Sequence, residues 1–272
     1  MSTGRPDFTR SLVGASLCAL HDSPGRINHV VQQQDALALH VSDDIHDLRL
    51  IRALAALVDN GESRLQALGE GAGALYASGI EPWSEHLTGV QGRAPQPFFD
   101  PLAVAIEEAH KRGLELHAWF NPYRARHADS KSPVAANHIS RTRPDLVRTY
   151  GKYLWLDPGE RDVQDYSTRV VLDVVKRYDI DAVHFDDYFY PYPEKDSSGR
   201  DKDFPDEASW KKFGVASGLS RADWRRRNVD QFLQRIYTSV HSEKPWVKFG
   251  LSPFGIWRPK NPPGIEGFDA YE

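Results

Sequence analysis

Residues 100–124 read DPLAVAIEEAHKRGLELHAWFNPYR, and this one stretch holds a complete helix, a turn and a strand. Asp100 and Pro101 supply an N-cap and a first-turn proline, two residues suited to the unsatisfied N–H groups of a helix start. Leu102, Ala105, Ile106 and Ala109 then repeat at helical spacing, and Lys111, Arg112 and Gly113 form a basic last turn with a glycine stop. From Leu114 to Phe120 the period changes from 3.6 to 2. Leu114, Leu116, Ala118 and Phe120 alternate with Glu115, His117 and Trp119, which predicts a strand with one apolar and one mixed face.

The same alternation recurs downstream. Tyr153–Asp157 (YLWLD) is a second predicted strand, followed by a helix from about Asp162 that carries Val163, Tyr166, Val170, Val174 and Tyr178 on one side. Asp181–Tyr188 (DAVHFDDY) is a third, with Val183 and Phe185 opposite Ala182, His184 and Asp186. After a helix from about Ser220, with Val229, Phe232, Leu233, Ile236 and Val240, Val247–Ser252 is a fourth. Strands that alternate with helices predict an α/β fold with parallel pairing. Strands of an open sheet covered on both sides are apolar throughout, whereas one face here is consistently polar or aromatic, so a TIM-type (β/α) barrel is expected. The predicted strands start about 44 residues apart on average, a spacing at which eight would need far more than these 272 residues. The expectation is therefore an incomplete barrel, lacking first and last strands and exposing a sheet edge.

The rest of the chain narrows the function. Thirty-four Lys and Arg against 38 Asp and Glu give a net charge of -4, with no basic excess to neutralise a nucleic-acid backbone. Cys18 is the single cysteine, which excludes an internal disulfide and a Cys-based zinc cluster. Ser11–Leu20, after Arg5 and Arg10, has the length of a signal-peptide core and is too short to span a bilayer; a short buried helix is its other reading. The expected organisation is a signal-like segment at 1–20, an atypical helical segment at 21–73 and a barrel domain at 74–272. Export would put the chain in the periplasm or cell envelope; without it the chain stays in the cytoplasm.

In barrels, chemistry gathers at the C-terminal strand ends. Those positions hold Asn121, Tyr123 and Arg124; Asp157; Asp186, Asp187 and Tyr188; and Ser252, Trp257 and Arg258. Asp186 and Asp187 are the candidate catalytic pair, because glycoside hydrolysis needs two carboxyl groups in unlike environments. Alternation turns Asp186 inward, with Asp187 able to swing to the rim. His117 and His184 share the inner face, and with Asp186 and Asp157 they are also a carboxylate–histidine metal set, although a histidine bonded inside a core is the commoner case. Arg124 and Arg258 either hold an acidic group of a substrate or pair with the carboxylates. The loop from Tyr190 to Ser209, with three prolines and eight charged residues between Glu194 and Asp206, reads as a substrate wall, and Glu81, Trp83 and Glu85 as a sugar subsite or a loop anchor.

GIEPWSEHLTG (79–89), DPLAVAIEEAHKRGLELHAWFNPYR (100–124), WLDPG (155–159), VHFDDYFYP (183–191), ADWRRRNVDQF (222–232) and FGLSPFGIWRP (249–259) together resemble the bacterial glycosyl-hydrolase-like family 10. The resemblance implies a TIM-like barrel that hydrolyses β-linked amino-sugar glycan, the peptidoglycan strands that lack stem peptides, with no cofactor and no metal. It also implies a lipoprotein signal for membrane anchoring. Carried over to this sequence, the matching positions are His117, Trp119, Asn121, Tyr123, Arg124, Asp157, Asp186, Asp187, Tyr188, Ser252 and Trp257, with His184 added from the inner face. Two other readings stay open: a glycan-binding protein without catalysis, and a metal-dependent hydrolase.

Overall fold

In a computed structural model, which describes residues 73–253 with the exception of Arg112, the first long element is the helix α1, Pro101–Lys111. Asp100 Oδ1 accepts the N–H groups of Leu102 and Ala103 at 3.1 and 3.2 Å, as an N-cap should. At the other end Gly113 adopts φ +68°, and its N–H and that of Leu114 return to His110 and Ala109. This double bond is the Schellman stop, and the left-handed residue at its centre favours glycine.

The chain continues through β1 (His117–Phe120), β2 (Arg124–Arg126), β3 (Val147–Tyr150), β4 (Tyr153–Leu156), the helix α2 (Arg161–Arg177), β5 (Ala182–Phe185), the helix α3 (Arg221–Glu243) and β6 (Lys248–Leu251). Strands β1, β5 and β6 form a parallel sheet in that order, with Trp119 beside His184 and His184 beside Gly250. One face packs on helices: Phe185 is fully buried, stacked on Phe232 of α3 at 5.9 Å and set edge-on to Phe120 and Phe249. Each such ring contributes roughly 1.5–3 kcal/mol by leaving water. The division of faces read from the alternation is the one the packing uses. Helix α3 begins at Ser220, whose hydroxyl accepts the Asp223 N–H at 3.1 Å and donates to its carboxylate at 2.5 Å.

One strand departs from the expectation. β4, the predicted YLWLD strand, runs antiparallel in a separate sheet of order β2-β4-β3. Tyr150 pairs with Tyr153, so Gly151 and Lys152 alone turn the chain, with Gly151 at φ +57°. The parallel arrangement thus comprises three of the four predicted strands. The signal-like segment at 1–20, all but the last residue of the segment 21–73, and Trp257 and Arg258 lie outside the described residues. No helix among the described residues is long and apolar enough to cross a membrane.

Candidate active site

The polar residues gather where the three parallel strands end. On the face away from the helices stand Trp119, His184 and Gly250, and one alternation further Asn121, Asp186 and Ser252. His184 Nε2 and Ser252 Oγ are 2.9 Å apart, a bond that ties β5 to the end of β6. Asp186 is buried, and its Oδ1 accepts the Tyr188 N–H at 3.0 Å, which curls the chain back over the strand end. Asp187 turns the other way: its Oδ2 accepts the Tyr192 hydroxyl at 2.6 Å, while the Tyr188 and Tyr192 rings lie 4.6 Å apart. Burial, and then that bond to Asp187, push the Tyr192 phenol well up. The pairing of Tyr192 with Asp187, five residues away in DDYFYPY, is a site feature the sequence reading had not drawn.

A Cβ on Gly250 would meet His184 Nδ1 at 2.9 Å. Gly250→Ala is therefore expected to displace the imidazole, break its bond to Ser252 and cost about 1–3 kcal/mol. A melting curve within error of the wild type would count against this packing.

Arg124 is also on the rim. Its backbone N–H is held by Asn121 Oδ1 at 3.1 Å, and its guanidinium lies over the Tyr188 ring at 4.6 Å and the Trp155 ring at 5.9 Å. Trp155 is fixed in turn by a bond from Nε1 to the Phe189 carbonyl at 3.0 Å.

Three predicted site residues stand elsewhere. His117 opens β1 at the N-terminal end of the sheet, exposed and bonded to Glu115, which pairs with Lys248. The metal set His117, His184, Asp186 and Asp157 accordingly does not converge, and among the described residues no three His, Cys, Asp or Glu side chains do so. Asp157 is fully buried rather than on the rim: it accepts from the Gly159 N–H at 2.9 Å and Ser209 Oγ at 2.8 Å and pairs with Arg148 at 2.9 Å. Burial holds its carboxyl above the usual range, against the pull of those three partners. DPG at a strand end is the sequence of an Asx-turn, and that signal marks Asp157 as a joint. Tyr123 is likewise a core residue, packed against Phe232 and Phe189.

The two candidate loops are anchored internally. Glu85 accepts the Lys131 and Ser132 N–H groups, and Trp83 sets edge-on to Phe98. Glu81 lines a cavity of about 30 Å³ with Tyr76, Asn121 and Tyr166, whose hydroxyl it accepts at 3.1 Å. The cavity also touches Phe120, Pro122 and Val171, so it lies between the end of β1 and α2. Burial raises the Glu81 carboxyl from 4.5 to about 7, so the folded chain holds a proton there that the unfolded chain gives up. The stability this confers is fully present below about pH 4.5 and lost as pH rises through about 7, amounting to at most about 3 kcal/mol. Glu81→Gln, which keeps the acceptor and cannot ionise, is expected to gain on the wild type in melting temperature between pH 5 and pH 8. An equal difference at both pH values would refute the buried proton.

A parallel sheet backed by helices, with carboxylates, an arginine and aromatic rings at its C-terminal edge, defines an α/β protein with its polar groups gathered at strand ends. The glycosyl hydrolase-like 10 family model matches residues 49–268, and the chain belongs to that family. It is 48% identical over 239 residues to glycosyl hydrolase YngK of Bacillus subtilis (strain 168), covering 87% of this chain and 43% of the relative. To glycosyl hydrolase DigH of Escherichia coli (strain K12) it is 41% identical over 196 residues, 68% of this chain and 42% of the relative. The chain thus spans less than half the length of these curated relatives. Among solved structures it is similar to α-L-fucosidase isoenzyme 2 of Paenibacillus thiaminolyticus, with a TM-score of 0.44 and 16% identity over 79% of this chain and 31% of that one. It is also similar to an α-galactosidase of Lactobacillus brevis, with a TM-score of 0.38 and 14% identity over 69% and 21%.

Proposed function

We propose that the chain is a glycoside hydrolase acting on β-linked amino-sugar glycan of the peptidoglycan type, on strands without stem peptides. Its parallel sheet is, on this reading, an arc of a (β/α) barrel, and Asp186 and Asp187 are its working carboxyl groups. The observation that carries the reading is Asp186: a buried carboxylate at a parallel strand end, level with Asn121 and Ser252 on the neighbouring strands and bonded by the N–H of Tyr188, the ring under Arg124. Two adjacent carboxyl groups held differently, one by a backbone N–H and one by a tyrosine, meet the need for an acid and a base in unlike environments. Tyr188 is already covered by Arg124 and Tyr192, so the half-buried Tyr192 ring supplies the flat face on which a sugar stacks. Such a substrate lies in the cell envelope, where the protein would work. Incubation with peptide-free peptidoglycan strands tests the reading by the release of soluble saccharides. Retention of the strands by the protein without any product would instead support a glycan-binding role.

A further inference from the structure

Two half-buried arginines beside the site have carboxylate partners. Arg148 pairs with Asp157, and Arg225 with Asp206 and Asp203. Arg124 differs. It is 7% exposed, its Nε is shielded from solvent without a hydrogen-bond partner, and no carboxylate among the described residues pairs with it. What holds it is the pair of ring faces, Tyr188 and Trp155, which fix the plane of the guanidinium without using its N–H donors. A buried cation whose donors are unspent is costly unless an anion arrives to take them. The same Tyr188 that stacks on Arg124 donates its N–H to Asp186, so the cation stands one ring away from the candidate carboxylate.

We infer that Arg124 is a specificity-determining residue that holds a carboxylate carried by the sugar bound beside Asp186. This rests on the hydrolase reading above. The planar fork of a guanidinium matches a carboxylate bidentately, which neither a hydroxyl nor an amide can reproduce. In a peptidoglycan-type glycan that carboxylate is the lactyl group of muramic acid, an anion only where no peptide is joined to it through an amide. Arg124 would therefore select stripped strands by charge.

The test compares three substrates for the full chain: peptide-free strands, the same strands with their lactyl carboxylates converted to simple amides, and neutral N-acetylglucosamine oligomers. The wild type is expected to favour the free carboxylate over the amide by about 10- to 100-fold in kcat/KM, the worth of a charge-assisted bond. Arg124→Gln should remove that preference by slowing the carboxylate substrate far more than the amide, and Arg124→Lys should restore part of it. A wild type that cleaves both strands equally overturns the inference, as does a Gln variant that keeps the preference. Should Arg124→Gln fail to fold, the wild-type comparison alone decides. If none of the three is cleaved, the hydrolase reading fails, and binding decides this one. Tryptophan quenching by muramic acid but not by N-acetylglucosamine, at low salt, supports it, and equal quenching overturns it.

Discussion

Asp186→Asn is expected to lower the hydrolysis of peptide-free glycan strands by roughly 10²- to 10⁴-fold while leaving the fold intact. The asymmetry follows from the bonds the residue makes. Its Oδ1 accepts the Tyr188 N–H at 3.0 Å, and an asparagine oxygen accepts the same bond, so the turn at the end of β5 survives. The negative charge does not survive, and with it goes the ability to take a proton or to stabilise a developing oxocarbenium ion. Asp187→Asn keeps an acceptor for the Tyr192 hydroxyl and changes the second carboxyl of the pair, so it serves as the comparison. The measurement is saccharide release per enzyme alongside a thermal melt. An Asp186→Asn protein with the wild-type melt and nearly the wild-type rate would remove Asp186 from the chemistry.

Much of this site was readable because periodicity reports faces well. The alternation around His117 and Trp119, and around His184 and Asp186, separated the helix-packed side of the sheet from the other, and the packing of Phe120, Phe185 and Phe249 follows it. Periodicity does not report height along a strand. His117 shares the face of Trp119 yet lies at the opposite end of β1 from Asn121, beside Glu115 and Lys248. Nor does it report which sheet a strand joins. β4 alternates like β5, but β2 and β3 are three and four residues long, rich in arginine and threonine, and give no signal of their own. With them unseen, β4 read as one more parallel strand and Asp157 as a rim residue. In the antiparallel sheet the end of β4 instead carries Asp157 inward to Arg148 and Ser209. The charged loop from Tyr190 also spends some of its polar groups on itself. Lys195 and Asp201 pair at 2.5 Å within it, and the Tyr150 hydroxyl donates to Lys202 O and accepts the Glu194 N–H, both at 3.0 Å. Part of its charge therefore folds the loop rather than facing a ligand.

The strongest of those internal charges is Asp206, and Asp206→Ala is expected to destabilise the chain by about 3–5 kcal/mol, the cost of breaking a buried ion pair. Asp206 is fully buried. Arg225 reaches it through Nε at 2.7 Å and Nη2 at 2.7 Å, and Arg221 through Nε at 2.9 Å and a further short bond from Nη2. The paired carboxylates hold the Arg225 guanidinium above its already high ordinary pKa, against the effect of its burial. With the carboxylate gone, two arginines of α3 face each other around an empty position, and only Asp203 and Glu207 remain nearby to answer them. The damage should spread along one connected path. Asp206 O accepts from Ser209 Oγ, Ser209 Oγ also donates to Asp157, and Asp157 pairs with Arg148 on β3, so loosening Asp206 unlocks the loop from both α3 and the small sheet. The melting temperature is expected to fall on the order of 10 °C. Early proteolytic cleavage between residues 190 and 209 should accompany the fall. Because the arginines and the carboxylate act as one unit, adding Arg225→Ala to Asp206→Ala should cost less than the sum of the two single changes. Strict additivity, or a loss below about 1 kcal/mol for Asp206→Ala, would mean that this loop is held by its apolar anchors, Phe204 and Tyr190, and not by the charges that dominate its sequence.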